Sequence, residues 1–283
     1  MSDDHRTRRR WVPSPAIRAS LGLHLAAGGG LIARPAAWPL VLGIVAADHA
    51  VLAAAGLWPR SRLLGPNWTR LPAAAAARGE VAITIDDGPD PDVTPRMLDA
   101  LARFGATATF FCIGERVERH PDLVRRIARA GHAIENHGDT HRHTFSLLGP
   151  AALEREVARA QARIAAIGGI APAFFRAPAG LRNPLLEPVL VRHDLRLASW
   201  SRRGFDTVSR DPDRVFDRLT RRLRGGEILL LHDGHTARAA NGAPIGAVVL
   251  PRLLETLRRR ALVPVTLREA LDLERRRAVR DPG

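Results

Sequence analysis

The run Val81-Ala82-Ile83-Thr84-Ile85 ends on two adjacent aspartates, Asp86 and Asp87, and turns at once through Gly88-Pro89. A short apolar, β-branched run bounded by turn residues reads as a buried strand. Carboxylates at the end of such a strand are costly to desolvate unless a cation or hydrogen bonds compensate them. Neighbouring side chains on a strand point to opposite faces, so the pair can divide labour, one binding a metal and the other handling a proton. The Gly-Pro turn sets both at the strand's carboxyl end, where parallel α/β folds put their chemistry. By itself, Asp-Gly-Pro is equally good turn chemistry, so the rest of the chain has to decide.

From Glu80 onward, short apolar strands alternate with helical patterns. Strands are expected at 81–85, 107–113, 132–135, 174–175, 195–200, 227–231 and 263–265. Helices are expected between them and at 267–277. This β/α alternation predicts a parallel sheet, closed into a barrel or doubly wound. The catalytic unit is expected to cover residues 80–273, followed by a basic tail at 274–283.

The first seventy residues differ in kind. A basic head at Arg6–Arg10 precedes two apolar stretches, Ile17–Ala33 and Ala36–Trp58, separated by Arg34-Pro35. Trp38 and Trp58 are twenty residues apart, about 30 Å along a helix and close to the thickness of a bilayer core. Interfacial tryptophans suit a spanning helix, whereas Asp48 and His49 near its middle are costly in lipid. Residues 1–62 are therefore expected to form a basic head and a membrane-associated helical hairpin, the alternative being amphipathic helices packed on the domain or a partner. Residues 63–79 are expected to be a linker. If both stretches span, Arg60 and Arg62 put the catalytic domain on the cytoplasmic side of a bacterial inner membrane; if one spans, it faces the periplasm.

Among 283 residues there is no Lys and no Tyr, so all 43 basic residues are Arg and the formal charge is +14. Such a field attracts nucleic acid, anionic lipid or acidic polymers. The arginines are dispersed, no nucleic-acid motif accompanies them and aromatic residues are scarce, so no nucleic-acid partner is expected. The single cysteine, Cys112, ends an apolar strand and reads as an inert core thiol.

Four further features fall at strand ends. His137 and His141, four apart, can reach one ion from a helical turn or tight loop, with Asp87 as a third ligand. Arg176 leaves the Phe174-Phe175 strand toward a carboxylate, Asp86 being the natural partner. Asp206 can orient a histidine, cap the helix near Pro212 or sit in a solvated loop. His232 ends the run Ile228–Leu231 and can donate a proton to a leaving group.

In this order the five features resemble the motifs of the polysaccharide deacetylase family, the NodB-homology domain of carbohydrate esterase family 4. The quoted motifs are Thr84–Pro89, His137–His141, Arg176–Gly180, Trp200–Asp206 and Leu231–Asp233. The resemblance implies a distorted (β/α) barrel with fewer strands than eight, carrying one divalent metal, zinc or a similar ion. It implies hydrolysis of an acyl group, acetyl or formyl, from an amino sugar in a polysaccharide or a lipid-linked saccharide, the latter suggested by the hairpin. Carried over residue by residue, Asp87, His137 and His141 hold the metal. Asp86 is the general base, with Arg176 aiming it. His232 is the general acid, with Asp206 orienting it, and the amide near Ala179 helps hold the oxyanion. Three positions depart from the pattern. Arg142 stands where a proline usually follows the second histidine, Ala179 replaces an aromatic residue, and Thr207 replaces a tryptophan. These departures put the long polymers chitin and peptidoglycan in doubt as substrates. A non-catalytic carbohydrate-binding module is the alternative reading. No His-Glu-x-x-His helix supports a zinc peptidase.

Overall fold

The computed structural model describes residues 9–280; the expected basic head lies outside them except for Arg9 and Arg10, as do the last three residues of the basic tail. Among the described residues, eight strands form one parallel sheet. They are β1 (Glu80–Gly88), β2 (Thr109–Cys112), β3 (Ala133–Asn136), β4 (Phe174–Phe175), β5 (Arg196–Leu197), β6 (Arg202–Arg203), β7 (Ile228–His232) and β8 (Val263–Pro264). The order is β5-β4-β3-β2-β1-β7-β6, with β8 pairing the start of β1. No ladder joins β5 to β6, so the sheet curls into a half-barrel with an open seam.

Among the described residues, eleven α-helices accompany the sheet. Two, α1 (Pro15–Ala33) and α2 (Trp38–Leu57), make an N-terminal hairpin. The others are α3 (Ala73–Ala77), α4 (Val93–Arg103), α5 (Gly114–Arg119), α6 (Pro121–Arg129), α7 (Pro150–Gly168), α8 (Leu186–Arg192), α9 (Pro212–Thr220), α10 (Ile245–Arg259) and α11 (Leu267–Arg280). The last of these runs through most of the expected basic tail.

Strand alternation sorts the core into two faces. Val81, Ile83 and Ile85 of β1, Phe110 of β2, and Leu229 and Leu231 of β7 pack outward on helices that include α4 and α10. Ala82, Phe111, Ile228 and Leu230 point into the barrel, against Phe174, Trp200 and Leu271. Asp86 continues the inward series of β1, and His232 that of β7; the two are register partners.

The structure departs from the sequence expectation in two places. The strand expected at 195–200 is regular only at Arg196–Leu197, with Ala198 and Ser199 bonded to Phe175 and Trp68 beyond it, and a second short strand, β6, follows where none was expected. The expected linker at 63–79 is built into the domain: Leu64, Leu71 and Ala75 are buried. Trp68 bridges to Ala198, and the Leu71 amide donates to the Gly226 carbonyl at 2.9 Å. This segment lies along the open seam and supplies hydrogen bonds that a missing strand would otherwise make. Beyond the buried base at Ala55 and Gly56, the hairpin helices are not packed on the barrel, which goes against the alternative of helices lying on the domain. Leu25 is 80% and Ile32 86% exposed, on helices long and apolar enough to cross a membrane.

Inside the hairpin, Asp48 accepts a hydrogen bond from Ser20 Oγ at 2.6 Å, with His24 at 4.0 Å and the His24 and His49 rings 5.1 Å apart. The polar groups that made the span costly thus face one another between the helices. At its base the hairpin is tied to the domain. Ser14 Oγ donates to the Leu63 carbonyl at 2.5 Å, and the Arg182 amide donates to the Gly56 carbonyl at 3.1 Å. A Cβ on Gly56 would lie 2.1 Å from the Arg182 carbonyl oxygen, so only glycine allows this approach.

Phe110 sits wholly buried at the centre of the outer core. Replacing Phe110 with Ala is expected to cost about 3–5 kcal/mol, read as a lower midpoint of chemical denaturation.

Candidate active site

Regular alternation would put Asp87 on the face opposite Asp86. Instead the β1–β2 register shifts between Asp86 and Gly88, and Asp87 takes φ 76°, unusual for a residue with a Cβ. This local irregularity turns the second carboxylate back, so the two aspartates serve one site rather than two faces. Strained backbone of this kind persists only where its surroundings hold it.

Asp87 Oδ1 lies 3.1 Å from Nε2 of both His137 and His141. It is buried, and neither ring is aligned to donate to it, so the oxygen has no hydrogen-bond partner. Nδ1 of His137 pairs with the Arg176 carbonyl at 2.8 Å. With the proton on Nδ1, Nε2 turns a lone pair toward Asp87, the tautomer typical of a metal-ligating histidine. Burial alone would push the Asp87 carboxyl up, but His137, His141 and His235 outweigh it and hold it well below the usual carboxylate range. Burial pulls His137 down, but Asp86 and Asp87 more than reverse this. Facing lone pairs, an orphaned buried oxygen and an anionic field are what a divalent cation would satisfy, and an Asp-His-His donor set suits zinc and similar ions. The three ligand atoms lie within 4.8 Å of one another.

The histidines come from the loop after β3, which its neighbours hold in place. Asn136 Oδ1 accepts from the Gly138 amide at 2.9 Å, while its amide group donates to Val157 and Gln161 on α7. Glu156, also on α7, accepts from the Asp139 and Thr140 amides at 3.0 Å each. His141 itself sits at φ 52°.

Arg176 is completely buried. One of its nitrogens donates to Asp86 Oδ1 at 2.6 Å and to Thr84 Oγ1 at 2.7 Å. Its remaining donors reach the carbonyls of Ala198 and Ser199, and its guanidinium lies 4.1 Å from the Phe111 ring centroid. The pair uses only one oxygen of Asp86; the other faces His137 at 3.9 Å. Across the β1–β7 ladder, His232 Nδ1 meets Asp206 Oδ1 at 2.8 Å, and Asp206 Oδ2 accepts the His232 amide at 2.7 Å. Burial lowers the His232 pKa, but the Asp206 charge and hydrogen bond, with Asp87 and Asp86 behind them, raise it to about 9. The imidazole is therefore cationic at neutral pH. Of the uses left open for Asp206, the geometry selects the contact with His232; the helix cap before Pro212 is Asp211 instead.

All seven residues singled out from the sequence thus converge. Sequence reasoning missed two others. His235 Nδ1 approaches Asp87 Oδ2 at 3.1 Å; its only signal was its place three residues after His232. Asp233 accepts hydrogen bonds from Thr94 Oγ1 and the Gly234 amide, and burial raises its pKa to about 7. Of the departing positions, Arg142 is exposed and 3.6 Å from Glu156, Ala179 is exposed at φ 53°, and Thr207 is half-buried.

Residues 73–198 match the family model for polysaccharide deacetylase. A peptidoglycan-N-acetylglucosamine deacetylase of Bacillus cereus is 34% identical over 175 residues, covering 61% of this chain and 81% of the relative. A chitooligosaccharide deacetylase of a Bradyrhizobium species is 36% identical over 156 residues, covering 55% and 71%. A family 4 carbohydrate esterase from Streptomyces lividans, solved with acetate, superposes with a TM-score of 0.59 at 33% identity, covering 66% of this chain and 91% of that one. The chain belongs to the polysaccharide deacetylase family. The family-model match ends before Asp206 and His232, whose pairing rests on the geometry above.

Removing the guanidinium in Arg176→Met strands a buried carboxylate and is expected to cost about 3–5 kcal/mol, measured by denaturation. A raised folded-state pKa stabilises fully below the unfolded value near 6.5, and that contribution is lost as pH rises through about 9. Asp206→Asn should pull this transition to lower pH, followed by NMR titration of His232.

Proposed function

We propose that this chain is a metal-dependent hydrolase that removes an N-linked acyl group, acetyl or formyl, from an amino sugar. The observation that carries this reading is the orphaned Asp87 oxygen facing two imidazoles, with one carboxylate–arginine pair and one histidine–carboxylate pair beside it. Asp87, His137 and His141 would hold the ion, zinc or another divalent metal. When bound there, it supplies Lewis acidity, polarising an acyl oxygen and making water more acidic.

Asp86 takes the proton from the attacking water through the oxygen that Arg176 leaves free. The water oxygen bonds to the acyl carbon and the C–N bond breaks. His232, cationic and fixed by Asp206, gives its proton to the departing nitrogen, because an amine leaves poorly until protonated. Pro178 has no N–H, and the Gly180 and Leu181 amides are spent on the Ala177 and Pro178 carbonyls. The Ala179 amide is then the loop's candidate donor to the developing oxyanion.

The same reading puts the hairpin in a bilayer. Its support is the length and apolar exposure of α1 and α2 and the return of both helix ends to the domain. With Arg60 and Arg62 at the domain end, the positive-inside rule favours the cytoplasmic face of the inner membrane.

Asp86→Asn is expected to lower acetate or formate release from a panel of N-acylated amino sugars by about 10²–10⁴-fold. His137→Ala should copurify without stoichiometric metal, as measured by elemental analysis. Unchanged acid release in the first variant would overturn the reading.

A further inference from the structure

The ionisable side chains of the hairpin helices are Arg18 and His24 on α1 and Asp48 and His49 on α2. Arg18 lies in the first turn of α1, near the domain. The other three sit near the midpoints of their helices, about 14 Å along the axis from either end. In the bilayer placement proposed above, that level is the hydrocarbon centre, where polar groups are most costly and where their presence marks a function.

The three groups meet. One nitrogen of each imidazole and one oxygen of Asp48 lie within 4.8 Å of one another. The two rings stand edge to face with centroids 5.1 Å apart. Each ring is also turned in the same way. His24 Nδ1 is 2.8 Å from the Ser20 carbonyl, and His49 Nδ1 is 2.9 Å from the Val45 carbonyl, in both cases four residues back on the same helix. A carbonyl oxygen only accepts, so Nδ1 carries the proton and, in the neutral ring, Nε2 keeps a lone pair. Ser20 Oγ donates to Asp48 Oδ2 at 2.6 Å. Among the described residues, nothing donates to Asp48 Oδ1 or to either Nε2.

This level of the hairpin therefore gathers three acceptors and no donor for them. Hydrocarbon holds no water to fill the deficit. A proton taken up by one ring would give an imidazolium–carboxylate pair and leave the second ring unsatisfied. One divalent cation would serve all three. The donor set also selects the cation: calcium and magnesium favour oxygen cages, whereas two neutral imidazoles with one carboxylate suit zinc and its first-row neighbours. Ser20 and the two carbonyls stand where outer partners hold metal ligands in orientation.

We propose that His24, Asp48 and His49 form a divalent transition-metal site, separate from the one in the barrel, that staples α1 to α2 at half height. The site owes nothing to the deacylase chemistry, and its ligands lie on elements that contribute no residue to the reaction centre.

The test uses the full chain carrying His137→Ala, in detergent micelles, so that the barrel site is disabled. After washing with a chelator, the protein is titrated with cobalt(II). Binding is followed by the visible absorption of the imidazole-ligated ion, and by elemental analysis after gel filtration. This chain is expected to take up about one equivalent, as a site of three protein ligands should. Adding His24→Ala and His49→Ala together should abolish the absorption and weaken binding at least about tenfold. Asp48→Asn, nearly the same shape and still able to accept from Ser20, should also weaken cobalt(II) binding about tenfold, with helix content by circular dichroism unchanged. With His137 intact, the two hairpin histidine substitutions should leave acid release from a soluble N-acetylated disaccharide unchanged while bound cobalt(II) falls by about one equivalent. No uptake by the His137→Ala chain, or undiminished uptake after the histidine or aspartate substitutions, would overturn the proposal.

Discussion

The site hangs on one buried cation. Arg176 has no solvent to fall back on, and each of its donors is spent on a different piece of the barrel: the end of β1, and the two carbonyls beyond β5. Its own carbonyl fixes the ring of His137 after β3. A charged group in this position is tolerable only because Asp86 neutralises it and the remaining N–H groups are satisfied. The one residue therefore fixes Asp86 through its guanidinium and the tautomer of His137 through its backbone carbonyl. Geometry of this kind is fixed before any substrate arrives, which is where preorganised sites gain their advantage.

Much of this was legible in the chain. Strands β1 and β7 are legible as continuous apolar runs that carry Asp86 and His232 at their carboxyl ends, and both are buried along their length; it is the register of the two strands that makes those residues partners. The β/α alternation carried the parallel sheet. What escaped was governed by hydrogen bonding rather than by pattern. Strands β5 and β6 are two residues long, at the edges of the sheet, and have too few side chains to show a period. The segment from Leu64 to Arg78 looked like a spacer because its anchors, Trp68 and Leu71, are isolated among Pro, Asn and Ala residues.

The largest discrepancy at the site is the direction of Asp87. Alternation is a rule about regular strands, and it fails where the register slips and the backbone adopts φ 76°. No residue type announces this, since glycine would be the usual occupant of such a conformation. The consequence is that both carboxylates face one reaction centre. His235 escaped for a related reason. It is more than half exposed and lies beyond the strand, so nothing in its neighbourhood distinguished it from an ordinary loop histidine.

The base of the hairpin has a mechanical consequence. Because Gly56 touches the loop after the Ala179 turn, and the segment beyond it is woven into the barrel seam, no slack tether separates anchor from catalyst. Whatever surface receives α1 and α2 would thereby set the height and tilt of the reactive groups, like a tool mounted on a bench.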